Sequence, residues 1–130
     1  MTSNDYPLLS ICCLGYNHAD FLAENLNSIL RINYPNIEVI VVDDGSKDNS
    51  LELLKTISNT YRHKIKIIAQ QNTGNIGKNL NNAFKEAKGE FISFISLDDV
   101  FNSFAIESEM DIIINNKSIA FVASSKALSI

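Results

Sequence analysis

Val39-Ile40-Val41-Val42-Asp43-Asp44-Gly45-Ser46 runs four β-branched apolar residues straight into two carboxylates, a glycine and a helix-capping serine. A short apolar run bounded by turn residues reads as a strand buried on both faces, as in a parallel sheet. Open α/β sheets bind ligands just outside the carboxyl ends of their strands. Packing does not account for two acids at such an end, so they point to a ligand.

The segments around this strand alternate in the same way. Leu8 to Leu14 reads as a first strand and Asp20 to Leu30 as a helix with Leu22, Leu26, Ile29 and Leu30 in a stripe. Asn33-Tyr34-Pro35-Asn36 ends that helix, because proline disfavours a helical residue before it. Ile37 to Asp43 is the second strand, and Ser46, Asp48 or Asn49 can cap a helix carrying Leu51, Leu54 and Ile57. Lys64 to Ala69 is a third strand, with Ile65, Ile67 and Ala69 on one face and Ile68 on the other. A polar loop, Gln70 to Asn75, leads into a helix with Leu80, Ala83, Phe84 and Ala87 at helical spacing, and Gly89 sits where a C-cap belongs. Phe91 to Leu97 is a fourth strand ending in a second acid pair, Asp98-Asp99. A helix over about Asn102 to Ile114 and a strand over Ile119 to Ala123 follow. The fold class predicted is α/β, a mostly parallel, Rossmann-like sheet with helices on both faces.

Two strands ending in Asp-Asp gather four carboxylates on one rim. Their repulsion requires a cation or hydrogen-bond donors, and a hard divalent ion with oxygen ligands is the simplest answer.

Composition sets the remaining bounds. At 130 residues, 45% hydrophobic and 20% charged, the chain fits one globular domain over residues 1–130. A net charge of −4 argues against non-specific nucleic-acid binding. No apolar stretch approaches the roughly 20 residues of a membrane helix, and no signal peptide is visible. A cytoplasmic location is expected, with peripheral contact to the inner membrane face left open. Asn116-Lys117-Ser118 fits a glycosylation acceptor but means nothing without secretion. Cys12 and Cys13 are adjacent in a strand, face opposite ways, and read as core residues.

Several blocks together resemble family 2 glycosyltransferases of the GT-A fold. These are Ser10 to Asn17, Ser28-Ile29-Leu30, Tyr34 to Ser50, Asn72-Thr73-Gly74, Ala87 to Ile92 and Asp98-Asp99, in the family's order and approximate spacing. The resemblance covers nearly the whole chain. It implies transfer of a sugar from a nucleotide diphosphate donor, a UDP-sugar, to an acceptor hydroxyl in surface polysaccharide or glycolipid synthesis. Mn2+ or Mg2+ is implied at the D-x-D position, here Ser96-Leu97-Asp98. Asp98 keeps the metal-ligand place, while Ser96 stands where the first acid is usual and can still hydrogen-bond ribose or sugar hydroxyls.

The resemblance also places Asp44 against the base, accepting from an imide N–H. Asp43 is placed at the loop or ribose, and Leu14 and Tyr16 at the nucleoside. Tyr16 reads equally as an aromatic packed on the second strand's end. Lys78 is the nearest cation to the family's phosphate-contacting arginine, and reads otherwise as a solvated lysine. His18 and His63 receive no role, and Glu107, Glu109 and Asp111 are not promoted to general base. That base lies downstream in the family, so the resemblance implies a donor half, either a fragment or a naturally short chain. The competing readings are a non-catalytic binding or assembly module and a receiver-like phosphoacceptor domain. The latter needs acids after the first strand, which ends here in Leu14-Gly15-Tyr16.

Overall fold

The computed structural model describes residues 6–61, 65–97 and 103–116. Four strands and four helices alternate along the chain. They are β1 (Leu9–Gly15), α1 (Ala19–Leu30), β2 (Ile37–Asp43), α2 (Ser50–Thr60), β3 (Ile65–Ala69), α3 (Ile76–Glu86), β4 (Phe91–Ser96) and α4 (Ser103–Asn115). The strands form one sheet in the order β3-β2-β1-β4, with every pairing parallel. His63, Lys64, Asp98, Asp99, Asn102 and the strand expected over Ile119 to Ala123 lie outside the described residues.

Strand handedness distributes the helices. The chain steps one way from β1 to β3, then crosses back to β4 on the far side of β1. A right-handed crossover therefore puts α3 on the face opposite α1 and α2. The core divides accordingly. Ile11, Cys13, Val39 and Val41 meet Leu22, Leu26 and Ile29 of α1, Leu54 of α2 and Met110 of α4 on one face. Cys12, Ile40 and Val42 meet Ala83 of α3 on the other. The two thiols thus point apart, are free and fully buried. Burial, with Glu38 adding, pushes the Cys12 thiol up to about 11, and burial raises Cys13 too.

Two local expectations are corrected. The helix α3 does not bury the stripe through Phe84, which is 58% exposed; its buried residues are Asn79 and Ala83. The helix is rotated so that Asn79 faces the loop after β3, where a polar partner waits. Gly89 is not a C-cap. The helix ends at Glu86 with an extended cap at Ala87, and Gly89 instead lies against β1, its N–H donating to buried Ser10 Oγ at 2.8 Å. A Cβ there would sit 2.6 Å from that oxygen and 2.7 Å from Leu8 O.

Gly89→Ala is therefore expected to force β4's entry away from β1 and cost about 1–3 kcal/mol, as overpacking usually does. Urea unfolding checks this, and a midpoint matching wild type would contradict it.

Candidate functional site

β1 and β4 meet where the strand order reverses, β2 and β3 lying on one side of β1 and β4 on the other, which makes their carboxyl ends the place where such sheets open a crevice. A cleft of about 470 Å³ opens there, within the usual size range of small-molecule sites. Leu14, Gly15, Tyr16 and His18 line it from β1 and its loop, Asp44 from the end of β2, Asn72, Gly74, Asn75, Ile76 and Asn79 from the loop and first turn of α3, and Ser96 from β4. The amino ends of α1 and α3 both border the cleft, and helix dipoles there favour an anionic ligand.

Asp44 forms its floor. The side chain is 5% exposed, yet four donors meet it. Gln70 Nε2 donates to Oδ1 at 2.9 Å, the Thr73 N–H to Oδ1 at 2.8 Å, and the Gly74 N–H to Oδ2 at 3.3 Å. Burial by itself would raise the pKa. The bonds from Gln70, Thr73, Asn79 and Gly74 outweigh it and hold the carboxyl down to about 2. Asp44 is thus ionised at neutral pH. The loop that supplies these donors is tied down in turn. Asn72 Nδ2 donates to the Asp44 carbonyl at 2.9 Å, and Gly45, at φ +74°, lets the Asn72 backbone approach where a Cβ would be 2.6 Å from its nitrogen.

Asp43, buried beside it, turns the other way and accepts from Ser46 N–H and Ser46 Oγ at 3.1 and 2.5 Å. Of its two expected roles, orienting the loop is the one the geometry provides; it does not line the cleft. For this acid pair, hydrogen-bond donors relieve the crowding.

The loops after β1 and β2 brace each other. Asn17, at φ +54°, accepts from the Lys47 N–H at 2.7 Å through its side chain and donates its own N–H to Ser46 Oγ. Asp48 accepts from the Ala19 N–H at 3.1 Å and from the Ser50 N–H at 3.0 Å. One carboxylate thereby caps the amino ends of α1 and α2 together, and neither helix has a side-chain cap of its own at the N-cap position. Hydrogen bonding, first from Ser50, lowers its pKa.

The structure brings Leu14, Tyr16, Asp44 and Ser96 to one cleft, as expected together. Lys78 is not among its lining residues and stands exposed on the first turn of α3. His18, given no role from sequence, borders the cleft, and its Nδ1 accepts from the Tyr16 N–H at 3.4 Å. Glu107 is spent on the α1–β2 loop, accepting from Asn33 N–H at 2.7 Å. Gln70, Asn72, Asn75, Ile76 and Asn79 were not anticipated. A signal existed: Asn79 and Asn82 fall on the same helical face as Ala83, so two amides share a face that should be apolar.

No three His, Cys, Asp or Glu side chains cluster to hold a metal among the described residues. Asp43 and Asp44 have their oxygens turned to protein donors, so the described residues do not by themselves fit a divalent ion.

A parallel α/β sheet with an acid-floored crevice at its switch point is the architecture of a nucleotide-binding domain. The chain belongs to glycosyl transferase family 2, whose profile it matches over residues 10–127. It is 39% identical over 122 residues to an uncharacterised glycosyltransferase of Rickettsia typhi, covering 92% of this chain and 37% of that one. The Staphylococcus aureus TarS structure with UDP-GlcNAc superposes with a TM-score of 0.72 at 34% identity, covering 83% of this chain and 31% of that one. A mannosyltransferase of Pyrobaculum calidifontis shares the fold, with a TM-score of 0.77 at 21% identity over 86% of this chain and 34% of that one. The chain thus spans about a third of each of these proteins.

The depressed pKa of Asp44 predicts a specific acid sensitivity. Stability from its ionised form is complete above the ordinary value of 3.8 and is lost as pH falls through about 2. The loss amounts to about 2 kcal/mol. Urea unfolding near pH 7 and near pH 2.5 should show Asp44→Asn less stable at the higher pH, with most of that gap closed at the lower. A constant difference across the range would rule out ionised Asp44 as the source.

Proposed function

We propose that this chain is the donor-binding portion of a glycosyltransferase that takes a UDP-sugar. The observation that carries the reading is the buried Asp44 carboxyl group, met by hydrogen-bond donors, at the floor of the switch-point cleft. An ionised carboxylate only accepts hydrogen bonds, and uracil presents an imide N–H between two carbonyls. Asp44 Oδ2, with its longer 3.3 Å bond from Gly74, keeps acceptor capacity for that hydrogen. Tyr16, about a third exposed, and Ile76, 70% exposed, offer a ring and an apolar side chain to the flat base. The TarS structures with UDP and UDP-GlcNAc support a uridine donor by similarity.

In this arrangement the Leu14 and Gly15 backbone meets the ribose, and Ser96 faces the diphosphate or sugar hydroxyls. Transfer breaks the bond between the sugar's anomeric carbon and the diphosphate while an acceptor hydroxyl oxygen bonds that carbon, its proton passing to a base. We assign that base to no residue here. The acceptor, a sugar or lipid-linked hydroxyl in surface polysaccharide or glycolipid assembly, belongs to the whole protein. Mn2+ or Mg2+ is assigned to Asp98; when bound it would neutralise charge on the departing diphosphate. The carboxyl ends of α1 and α3 lie away from the cleft, so only their positive ends meet that charge.

Two ligand titrations by calorimetry test this. UDP should bind at least about tenfold more tightly than CDP, whose base lacks the imide N–H, and Asp44→Asn should erase the preference. Equal affinities for UDP and CDP in wild type would remove Asp44 from base recognition. With Mn2+ present, UDP affinity should rise, and Asp98→Ala should abolish the increment; a metal increment surviving in Asp98→Ala would reassign the ion.

A further inference from the structure

Gln70 is pinned at both ends. Its N–H donates to the Asp43 carbonyl at 3.1 Å, carrying the β2–β3 ladder one step past the strand. Its side chain stands between Asp44 and α3. Nε2 donates to Asp44 Oδ1 at 2.9 Å and to Asn79 Oδ1 at 2.6 Å, while Oε1 accepts from Asn82 Nδ2 at 2.7 Å. Thr73 Oγ1 also donates to Asn79 Oδ1, at 2.8 Å.

The direction of this chain of amides follows from charge. A carboxylate can only accept, so the end of the Gln70 amide that faces Asp44 must be its NH2 group. Its carbonyl then faces Asn82, whose NH2 must meet it, and Asn79 must turn its oxygen toward Gln70 and Thr73. Reversing any one amide sets donor against donor or acceptor against acceptor in a partly buried site. The ionised state of Asp44 and the seating of α3 are therefore parts of one network.

We propose that Gln70 is the positioning residue of the donor site, holding the Asp44 carboxyl group in place and aimed at the base, with Asn79 and Asn82 of α3 fixing which way its amide points. The inference rests on the reading of Asp44 as the base acceptor, but the hold on the carboxylate can be measured without any nucleotide.

The experiment follows the Asp44 side-chain carbon by NMR through a pH titration and, in parallel, titrates UDP at pH 5.5 to 8. In Gln70→Leu the carboxyl keeps its burial and loses a donor, so its titration midpoint should move up by at least about one pH unit. UDP affinity should fall about tenfold or more. Asn82→Leu should shift both readouts the same way by less. Gln70→Glu keeps shape and folding independent of the leucine variant. At pH 8 its carboxylate opposes Asp44, whereas once protonated it donates to Asp44 as the amide did. Its UDP affinity, taken as a ratio to wild type at each pH, should therefore recover as pH falls toward 5.5, a recovery that a purely structural role would not produce. An unmoved Asp44 midpoint in Gln70→Leu, or pH-independent weak binding in Gln70→Glu, overturns the proposal. Absence of UDP binding in wild type together with a raised midpoint in Gln70→Leu would instead remove the uridine reading and leave Gln70's hold on Asp44 standing.

Discussion

A buried carboxylate stays ionised only where N–H groups replace the water it has lost, and that requirement at Asp44 shapes the whole cleft. The donors come from the loop after β3, so that loop must curl back over the end of β2. Curling back needs a left-handed residue at Gly45, where Asn72 presses against the backbone, and another at Gly74, at φ +59°. The same loop then delivers Asn75 as the side-chain cap of α3, accepting from the Lys78 N–H at 3.0 Å. One desolvated charge thus sets the course of a loop, the start of a helix and the floor of a pocket.

The opposite wall is fixed by a different economy of charge. Asp48 sits between two helix amino ends that lack caps of their own, and Asn17 accepts a left-handed backbone to reach Lys47. Across the cleft, Leu97 is buried, donates its N–H to the Leu14 carbonyl at 2.9 Å and accepts from Asn25 Nδ2 of α1. Gly15 leaves room for it, since a Cβ there would lie 3.0 Å from Leu97 Cδ1. Tyr16 and Ser96 thus project from backbone that is held on both sides.

What the sequence disclosed and what it withheld follow from range. The four strands are legible because β-branched runs and parallel burial leave a local signature, and observed bounds differ from expectation by a residue or so, as at Ser96 against Leu97. The Asp43-Asp44 pair stands out because charge at the end of an apolar strand is locally anomalous. Its division of labour is not local: Asp43 meets Ser46 three residues away, whereas the nearest of Asp44's side-chain partners, Gln70, is 26 residues along the chain. Nothing in the run Gln70-Gln71-Asn72-Thr73 says which amide turns inward. The orientation of α3 is hidden from local pattern for the same reason. Phe84 has the better apolar spacing, but Asn79 has a carboxylate-anchored network to join, and satisfying buried amides outweighs hiding one ring.

The two faces of the sheet are consequently held by forces of different character. Around α1, α2 and α4 the contact is a broad apolar one, non-directional and tolerant of small slippage. The contact of α3 is narrow, with Ala83 against Cys12, Ile40 and Val42, and much of its specification is carried by amides. Amide pairs admit a single register, because a slide of one residue separates every donor from its acceptor. On that face, grease supplies adhesion and polarity supplies address.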